Sequence, residues 1–129
     1  ITFTGAFGNA AKLKLALNVL TNLSFAASLE ALLLAKAMGL PQELFEEGGQ
    51  ATTMLNPLLM QYLSPYKMPA EVFRSANLQA YMRGRMEIAQ KVLGLALQMA
   101  HDHGIAMPVT GLVAQLLAKV YGVYDDALR

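Results

Sequence analysis

Apolar residues occupy most positions between Asn9 and Gly39, and only scattered polar residues interrupt them. Asn9 can cap the start of a helix, Gly39 can end it, and Pro41 can open the next element. We therefore predict one helix over this stretch, about 45 Å long at 1.5 Å per residue. Because this helix is apolar nearly all round, we expect it to lie in the middle of a larger helical arrangement.

The remaining pattern predicts shorter helices and one further long helix, with period-3.6 apolar positions and no pair of strands. The predicted fold class is therefore all-α, a helical bundle around one long central helix. The predicted helices are residues 41–47, ended by Gly48 and Gly49; residues 57–63, capped by Asn56; about residues 85–103, ended by Gly104; and a last helix from Pro108, with residues 66–76 read as a loop.

Composition narrows the class of protein. Hydrophobic residues make up 55% of the 129 residues and charged residues 15%, which excludes a disordered tail. A net charge of +1 leaves no electrostatic footprint for nucleic acid. With no cysteine, a disulfide scaffold, a thiolate zinc site and a thiol nucleophile are excluded, and a cytoplasmic location fits best.

The low charge and the apolar first helix together predict a partner surface. We expect a homodimer or a higher homo-oligomer, in which a second copy covers the long helix. Polar residues spaced along that helix, among them Lys14, Asn22 and Glu30, argue against a membrane span, so we expect no membrane partner.

A polar stripe crosses the long apolar helix. Lys14 and Asn18 are one turn apart, and Thr21 or Asn22 and then Ser28 continue the same side. From spacing alone this stripe is either a seam of hydrogen bonds between helices or a site for a polar ligand.

The residues around Lys14 carry a resemblance. The run Gly5-x-x-Gly8-x-Ala10-x-x-x-Lys14-x-x-x-Asn18 resembles the β-hydroxyacid dehydrogenase family, whose pattern has glycine where Ala10 stands. Within that family it looks most like the 3-hydroxyisobutyrate dehydrogenases and the glyoxylate/succinic semialdehyde reductases. Lys12 does not fit the pattern, because the residue four positions later is alanine.

A second block extends the resemblance. The run Lys91-Val92-Leu93-Gly94-Leu95-Ala96 is similar to the family's Lys-Asp-Leu-x-Leu-Ala, with Val92 in place of aspartate, and residues 124–126 resemble the family's tail. The resemblance places Lys91 beside the nicotinamide cofactor. Spacing alone suggests instead an ion pair between Lys91 and Glu87 on the helix surface.

The resemblance implies the C-terminal helical domain of an NAD- or NADP-dependent oxidoreductase with a 6-phosphogluconate dehydrogenase-like architecture. Residues 1–8 would be a remnant of the interdomain strand or linker, and residues 9–129 the substrate and dimerisation domain. A Rossmann domain, absent from this chain, would hold most of the cofactor, so the chain alone should be inactive. The implied roles are catalysis for Lys14, substrate binding for Asn18 and cofactor binding for Lys91, with a small hydroxy or aldehyde acid as substrate.

Two other readings remain open. In one of them, the chain is a non-catalytic helical dimerisation module, and its polar stripe is a structural seam. In the other, the chain is a membrane-associated helical protein. His101 and His103 stand on opposite sides of a helix with no third ligand close in sequence, so we predict no metal site. The sequence leaves the substrate and the choice between NAD and NADP undetermined.

Overall fold

The computed structural model describes residues 8–123, and this part of the chain is helical with no strand, as predicted for an all-α fold. Residues 1–7, which include most of the expected linker and Gly5 of the motif, lie outside the described residues, as does the tail at 124–129. Gly8 already belongs to the first helix. The helices are α1 (Gly8–Ala37), α2 (Gln42–Ala51), α3 (Pro57–Leu63), α4 (Ala70–Phe73), α5 (Ala76–Asp102), α6 (Pro108–Gln115) and α7 (Leu117–Val120), with a 3₁₀ turn at Ser64–Lys67 between α3 and α4.

The two long helices, α1 and α5, form the centre of the fold and run antiparallel. Val19 lies beside Ala100, near the C-terminal end of α5. Farther along α1, Asn22 lies beside Arg85, in the first half of α5. Burying a large apolar side chain contributes about 1.5–3 kcal/mol, so the fully buried residues dominate the stability of this core. The largest of them are Phe25, Leu32, Leu63, Met82, Met86, Leu93 and the polar Thr110.

Glycines end the two long helices as the sequence predicts. Gly39 follows α1 with φ +89°, and Gly104 follows α5 with φ +67°, in the left-handed region that glycine adopts without strain. In both places the amide of the residue after the glycine donates to the carbonyl five residues earlier, from Leu40 to Ala35 at 3.0 Å and from Ile105 to Ala100 at 2.8 Å. This is the Schellman arrangement, which satisfies the last carbonyls of a helix.

Caps at the helix N-termini agree with the sequence in one case and differ in another. Asn56 caps α3, and its side-chain oxygen accepts a hydrogen bond from the Leu59 amide at 2.8 Å, with Pro57 as the first helical residue. The prediction that Asn9 caps α1 is wrong, because α1 has already begun at Gly8 and Asn9 lies inside it.

The predicted stop at Gly48 and Gly49 is wrong, since α2 runs through both glycines to Ala51. A glycine inside a helix costs about 1 kcal/mol relative to alanine. Here a close contact compensates: Leu55 folds back over α2, and its amide donates to the Gly49 carbonyl at 3.0 Å. A Cβ at position 49 would lie 2.4 Å from Leu55 Cδ1, so this approach requires glycine.

Two other helix boundaries differ from the sequence pattern. The second long helix begins at Ala76, nine residues before the predicted start at about Arg85, and Ser75 caps it by accepting from the Leu78 amide at 3.4 Å. The last helix, predicted as one piece from Pro108, divides at Leu116 into α6 and α7. Leu116 departs from helical geometry with φ −111° and ψ 13°. No proline or glycine stands at this position to predict the break from the sequence.

One side of α1 is left uncovered by residues 8–123. Its exposed apolar residues include Leu13, Leu17, Leu20, Leu33, Leu34 and Met38. This exposure agrees with the expectation that a single chain does not cover both sides of the long helix. Within residues 8–123, α1 is also the one helix long and apolar enough to cross a membrane by length and composition, a criterion that core helices of soluble proteins meet as well.

Candidate functional site

A polar groove lies between α1 and α5 and is closed at one end by residues from α3 and from the segment after α7. It encloses about 150 Å³. Asn18, Thr21 and Asn22 line it from α1, and Arg85, Ile88, Ala89 and Val92 line it from α5, with Tyr62 and Tyr121 at the end. The middle of the predicted polar stripe, from Asn18 to Asn22, therefore faces a groove between α1 and α5, whereas Ser28 lines a different pocket, between α1 and α2.

Hydrogen bonds inside the groove fix Asn22 and leave Asn18 available. The Tyr121 hydroxyl donates to Asn22 Oδ1 at 3.1 Å, and Asn22 Nδ2 donates to the Asn18 carbonyl at 2.8 Å. Thr21 likewise donates to the carbonyl one turn earlier, that of Leu17, at 3.0 Å. The side-chain amide of Asn18 makes no hydrogen bond with the described residues and lines the groove, so it can bind a ligand.

Arg85 is surrounded by aromatic rings at the closed end of the groove. Its guanidinium carbon lies 4.0 Å from the centre of the Tyr62 ring, which is stacking distance. The rings of Phe25, Tyr121 and Tyr81 follow at 5.5, 5.3 and 5.8 Å. The Nη2 atom of Arg85 is buried and has no hydrogen-bond partner among the described residues.

Burial and the positive charge of Arg85 shift the pKa of the Tyr121 phenol in opposite directions. Burial raises the pKa of Tyr121 above its ordinary value of about 10, and the positive charge of Arg85 opposes the rise in part. Tyr121 therefore stays protonated at neutral pH and donates its hydrogen bond to Asn22.

Lys14 lies one turn before Asn18 on α1, toward the N-terminal end of the helix. Its side chain is exposed and makes no ion pair or hydrogen bond with residues 8–123. The structure thus brings Lys14 and Asn18 to one side of α1, with Asn18 in the groove and Lys14 beyond it. Lys12, which does not fit the motif, borders a different and largely apolar pocket of about 300 Å³, together with Leu15 and Met99.

Lys91 lies next to the groove rather than in it. Its neighbour Val92 lines the groove, whereas Lys91 shares an open surface depression with Glu87 and Gln90. The ion pair between Glu87 and Lys91 that spacing suggested does not form. Lys91 is exposed and can meet a group that approaches from outside.

The sequence pattern missed Arg85 and the two tyrosines of the groove. Arg85 stands three residues after Met82 and four before Ala89, inside an apolar stripe of α5 whose other members are buried. A cation within a buried apolar stripe indicates a polar contact in the core. Because the predicted helix began at Arg85, the apolar positions before it were not recognised as part of the same stripe. Tyr62 and Tyr121 come from distant parts of the chain, so no local spacing could place them together.

The two histidines that suggested a metal stand in no group of three or more metal-ligating side chains within the described range. His103 Nδ1 lies 2.8 Å from the Met99 carbonyl, and Asp102 accepts from Gln98 at 3.0 Å. Both interactions stay within the last turns of α5, where histidine also suits the helix dipole.

The described domain is all-α, with Asn18 in a small polar groove and Lys14 one turn before it on the same helix. Residues 8–127 match the family model described as NAD-binding of NADP-dependent 3-hydroxyisobutyrate dehydrogenase, and the chain therefore belongs to this family. The resemblance to β-hydroxyacid dehydrogenases is confirmed at that level, and the family is one of NAD(P)-dependent oxidoreductases. No curated protein and no solved structure matches the chain.

The family's cofactor is NAD(P), and the described residues fit only one side of a site for it. Ligand pockets usually enclose about 300–1,000 Å³, whereas the polar groove encloses about 150 Å³. The sequence also contains no Gly-x-Gly-x-x-Gly, the loop that receives a pyrophosphate. The polar groove therefore suits a molecule smaller than a dinucleotide.

Proposed function

We propose that this chain is the helical substrate and dimerisation domain of an NAD(P)-dependent oxidoreductase that interconverts a small aldehyde or keto acid and its hydroxy acid. The observation that carries the proposal is the family match over residues 8–127, which includes Lys14 and Asn18 beside one groove. Most of the cofactor would be held by a Rossmann domain outside this chain, so the chain alone would be inactive. When bound, the cofactor supplies or accepts the hydride.

Lys14 is proposed as the general acid and base. Hydride addition to a carbonyl carbon leaves negative charge on the carbonyl oxygen, and an adjacent ammonium group both stabilises that charge and supplies a proton. In the oxidation direction the same side chain takes the proton from the hydroxyl group. Lys14 suits this role because no described carboxylate neutralises it and it lies one turn from the groove.

Asn18 is proposed to hold the substrate and Lys91 to contact the cofactor. The amide of Asn18 has no hydrogen-bond partner among residues 8–123 and can donate a hydrogen bond to a substrate oxygen, which would fix the reacting carbon near Lys14. Lys91 lies next to the groove on the surface of α5, and its exposed ammonium would bind a negatively charged group of the cofactor.

The test is Lys14→Ala in the full-length protein, with Lys12→Ala as the matched control. We expect Lys14→Ala to lower kcat by about 10²–10⁴-fold, the usual contribution of a general acid–base group, with little change in cofactor affinity. Lys12→Ala removes the same charge two residues away on another side of α1 and should leave kcat within about twofold of the wild-type value, since no catalytic step involves it. Steady-state kinetics on a panel of small hydroxy acids and aldehydes gives both values.

Equal turnover in the two variants would contradict the assignment of Lys14. Absence of pyridine-nucleotide-dependent turnover on the whole panel would favour the alternative of a non-catalytic dimerisation module.

A homo-oligomer is proposed from the uncovered side of α1. Leu13, Leu17 and Leu20 follow one another at helical spacing on that side, and Ala27, Ala31, Leu34 and Met38 extend the same stripe. The first three leucines are 47%, 52% and 60% exposed, so the stripe is largely open in a single chain. The same helix of a second copy, packed in a two-fold arrangement, would cover it.

A further inference from the structure

Arg85 brings a positive charge into the groove, and none of the described residues that line the groove carries a negative charge to balance it. The groove is lined by asparagine, threonine, tyrosine and apolar residues, and none of its lining side chains is a carboxylate. Charged groups removed from water are normally paired or fully hydrogen-bonded, because the loss of solvation is costly. Among residues 8–123, Arg85 is therefore a cation in the groove with no carboxylate beside it.

The aromatic rings around Arg85 do not replace that anion. Stacking on Tyr62 at 4.0 Å supports the flat face of the guanidinium. Hydrogen-bond donors of a guanidinium lie in its plane, however, and the buried Nη2 finds no acceptor there. The Tyr121 hydroxyl donates its proton to Asn22 and shares a side-chain hydrogen bond with Arg85, but it is neutral and supplies no negative charge.

We infer that Arg85 is the anchor for the carboxylate of the substrate and makes the groove select acids over neutral aldehydes or alcohols. A carboxylate matches the planar fork of a guanidinium and can accept two of its N–H groups at once. Tyr62 holds the guanidinium plane in place, so the fork is oriented before the ligand arrives. That the anion is the substrate rests on the proposed function, whereas the binding of an anion by Arg85 does not.

Size and position agree with a small acid. A volume of about 150 Å³ is half the lower end of the usual range for ligand pockets, about 300–1,000 Å³, so the groove suits a small acid. Asn22, beside Arg85 at the closed end, stands one turn from Asn18, and Asn18 one turn from Lys14. A carboxylate at Arg85 therefore directs the other end of the molecule along α1 toward Lys14.

The test compares an acid with its neutral isostere in the full-length protein without cofactor. Isothermal titration calorimetry measures the affinity for 3-hydroxypropionate and for 3-hydroxypropionamide in the wild type, in Arg85→Met, and in Lys119→Met as a control that removes an exposed cation away from the groove. We expect Arg85→Met to weaken binding of the acid by about 10–100-fold, the range of a charge-assisted hydrogen bond, and to leave the amide within about twofold. The control should change neither affinity.

Arg85→Lys covers the case in which Arg85→Met fails to fold, because it keeps the charge and loses the planar fork. We expect it to weaken acid binding by about tenfold, and unchanged affinity in Arg85→Lys would overturn the inference. Equal weakening of acid and amide in Arg85→Met would also overturn it, since a role in shaping the groove affects both ligands. The carboxylate assignment fails as well if inorganic phosphate binds the wild type more tightly than the acid and depends on Arg85.

These outcomes are separate from the fate of the proposed reaction. Acid binding that depends on Arg85 in a protein with no turnover would uphold the anchor and refute the enzyme. Turnover that depends on Lys14, together with acid binding that is unchanged when Arg85 is replaced, would support the enzyme and refute the role of Arg85 as the anchor.

Discussion

Replacement of Gly122 by alanine tests how tightly the end of the chain is packed against the core. Gly122 has φ +64°, a conformation that costs an alanine about 1–2 kcal/mol. The added Cβ would also lie 2.7 Å from Cε1 and Cζ of Phe73, a buried ring 7% exposed whose centre is 5.1 Å from that of Tyr66. Gln79 donates to the Gly122 carbonyl at 2.9 Å, so the backbone cannot move away freely. Overpacking of this kind costs about 1–3 kcal/mol, which gives a total of about 2–5 kcal/mol.

Gly104→Ala is the matched control, because it shares the backbone cost without the contact. Gly104 has φ +67°, and a Cβ there would meet no atom within 4 Å. We expect Gly104→Ala to lower the free energy of unfolding by about 1–2 kcal/mol, less than Gly122→Ala by about 1–3 kcal/mol. Urea denaturation followed by circular dichroism measures both values, provided that the m-values agree. Equal losses in the two variants, within about 0.5 kcal/mol, would refute the assigned clash with Phe73.

Three further predictions concern the groove and the open side of α1. Asn18→Ala should raise KM for small acids by about tenfold or more while kcat falls less, because a hydrogen bond to the substrate is lost; an unchanged KM across several acids would count against the role. Leu20→Glu places a charge in the proposed interface and should therefore convert a dimer or larger oligomer into monomers, as measured by light scattering at micromolar concentration. A wild-type protein that is already monomeric would contradict the proposed interface. The raised pKa of Tyr121 means that the unfolded state loses the phenolic proton first, so the stability this group provides is complete below about pH 10 and declines above it. Tyr121→Phe should therefore have a free energy of unfolding about 1 kcal/mol lower than that of the wild type at pH 7, because the hydrogen bond to Asn22 is lost. Urea titrations should show this difference in stability narrowing above pH 10, and a difference independent of pH would contradict the prediction.

The sequence predicted those parts of the fold that depend on local chemistry. Asn56 with Pro57, and glycines 39 and 104, mark helix ends through their own side-chain or backbone preferences, and the structure places helix ends at all three. The failures involve contacts between distant residues or weak local signals. The glycine pair in α2 is kept helical by Leu55, and the first nine residues of α5 carry the less regular part of its apolar pattern.

The candidate site divides in the same way. Lys14 and Asn18 could be found because they share one helix and one motif, and their spacing fixes their common side. Arg85 could not be paired with Tyr62 and Tyr121 from the sequence, since these residues are 23 or more positions apart and meet only when α3, α5 and the segment after α7 assemble. The family match tests the class of protein and leaves the residue roles as proposals for the kinetic experiments.

The distribution of burial along α1 has a consequence for amide hydrogen exchange. The buried residues of α1 begin at Val19, and every residue before it is exposed or only partly covered. The first turns of this helix therefore open at a low free energy, independently of the core, and their amides should exchange with deuterium well before those around Phe25 and Leu32. Lys14 lies in these first turns of α1. Because the core does not hold this segment, contacts with another chain or domain would be the main source of its order. Binding of a partner copy or of a second domain should slow amide exchange most in the first turns of α1. The same binding would fix the position of the Lys14 ammonium group.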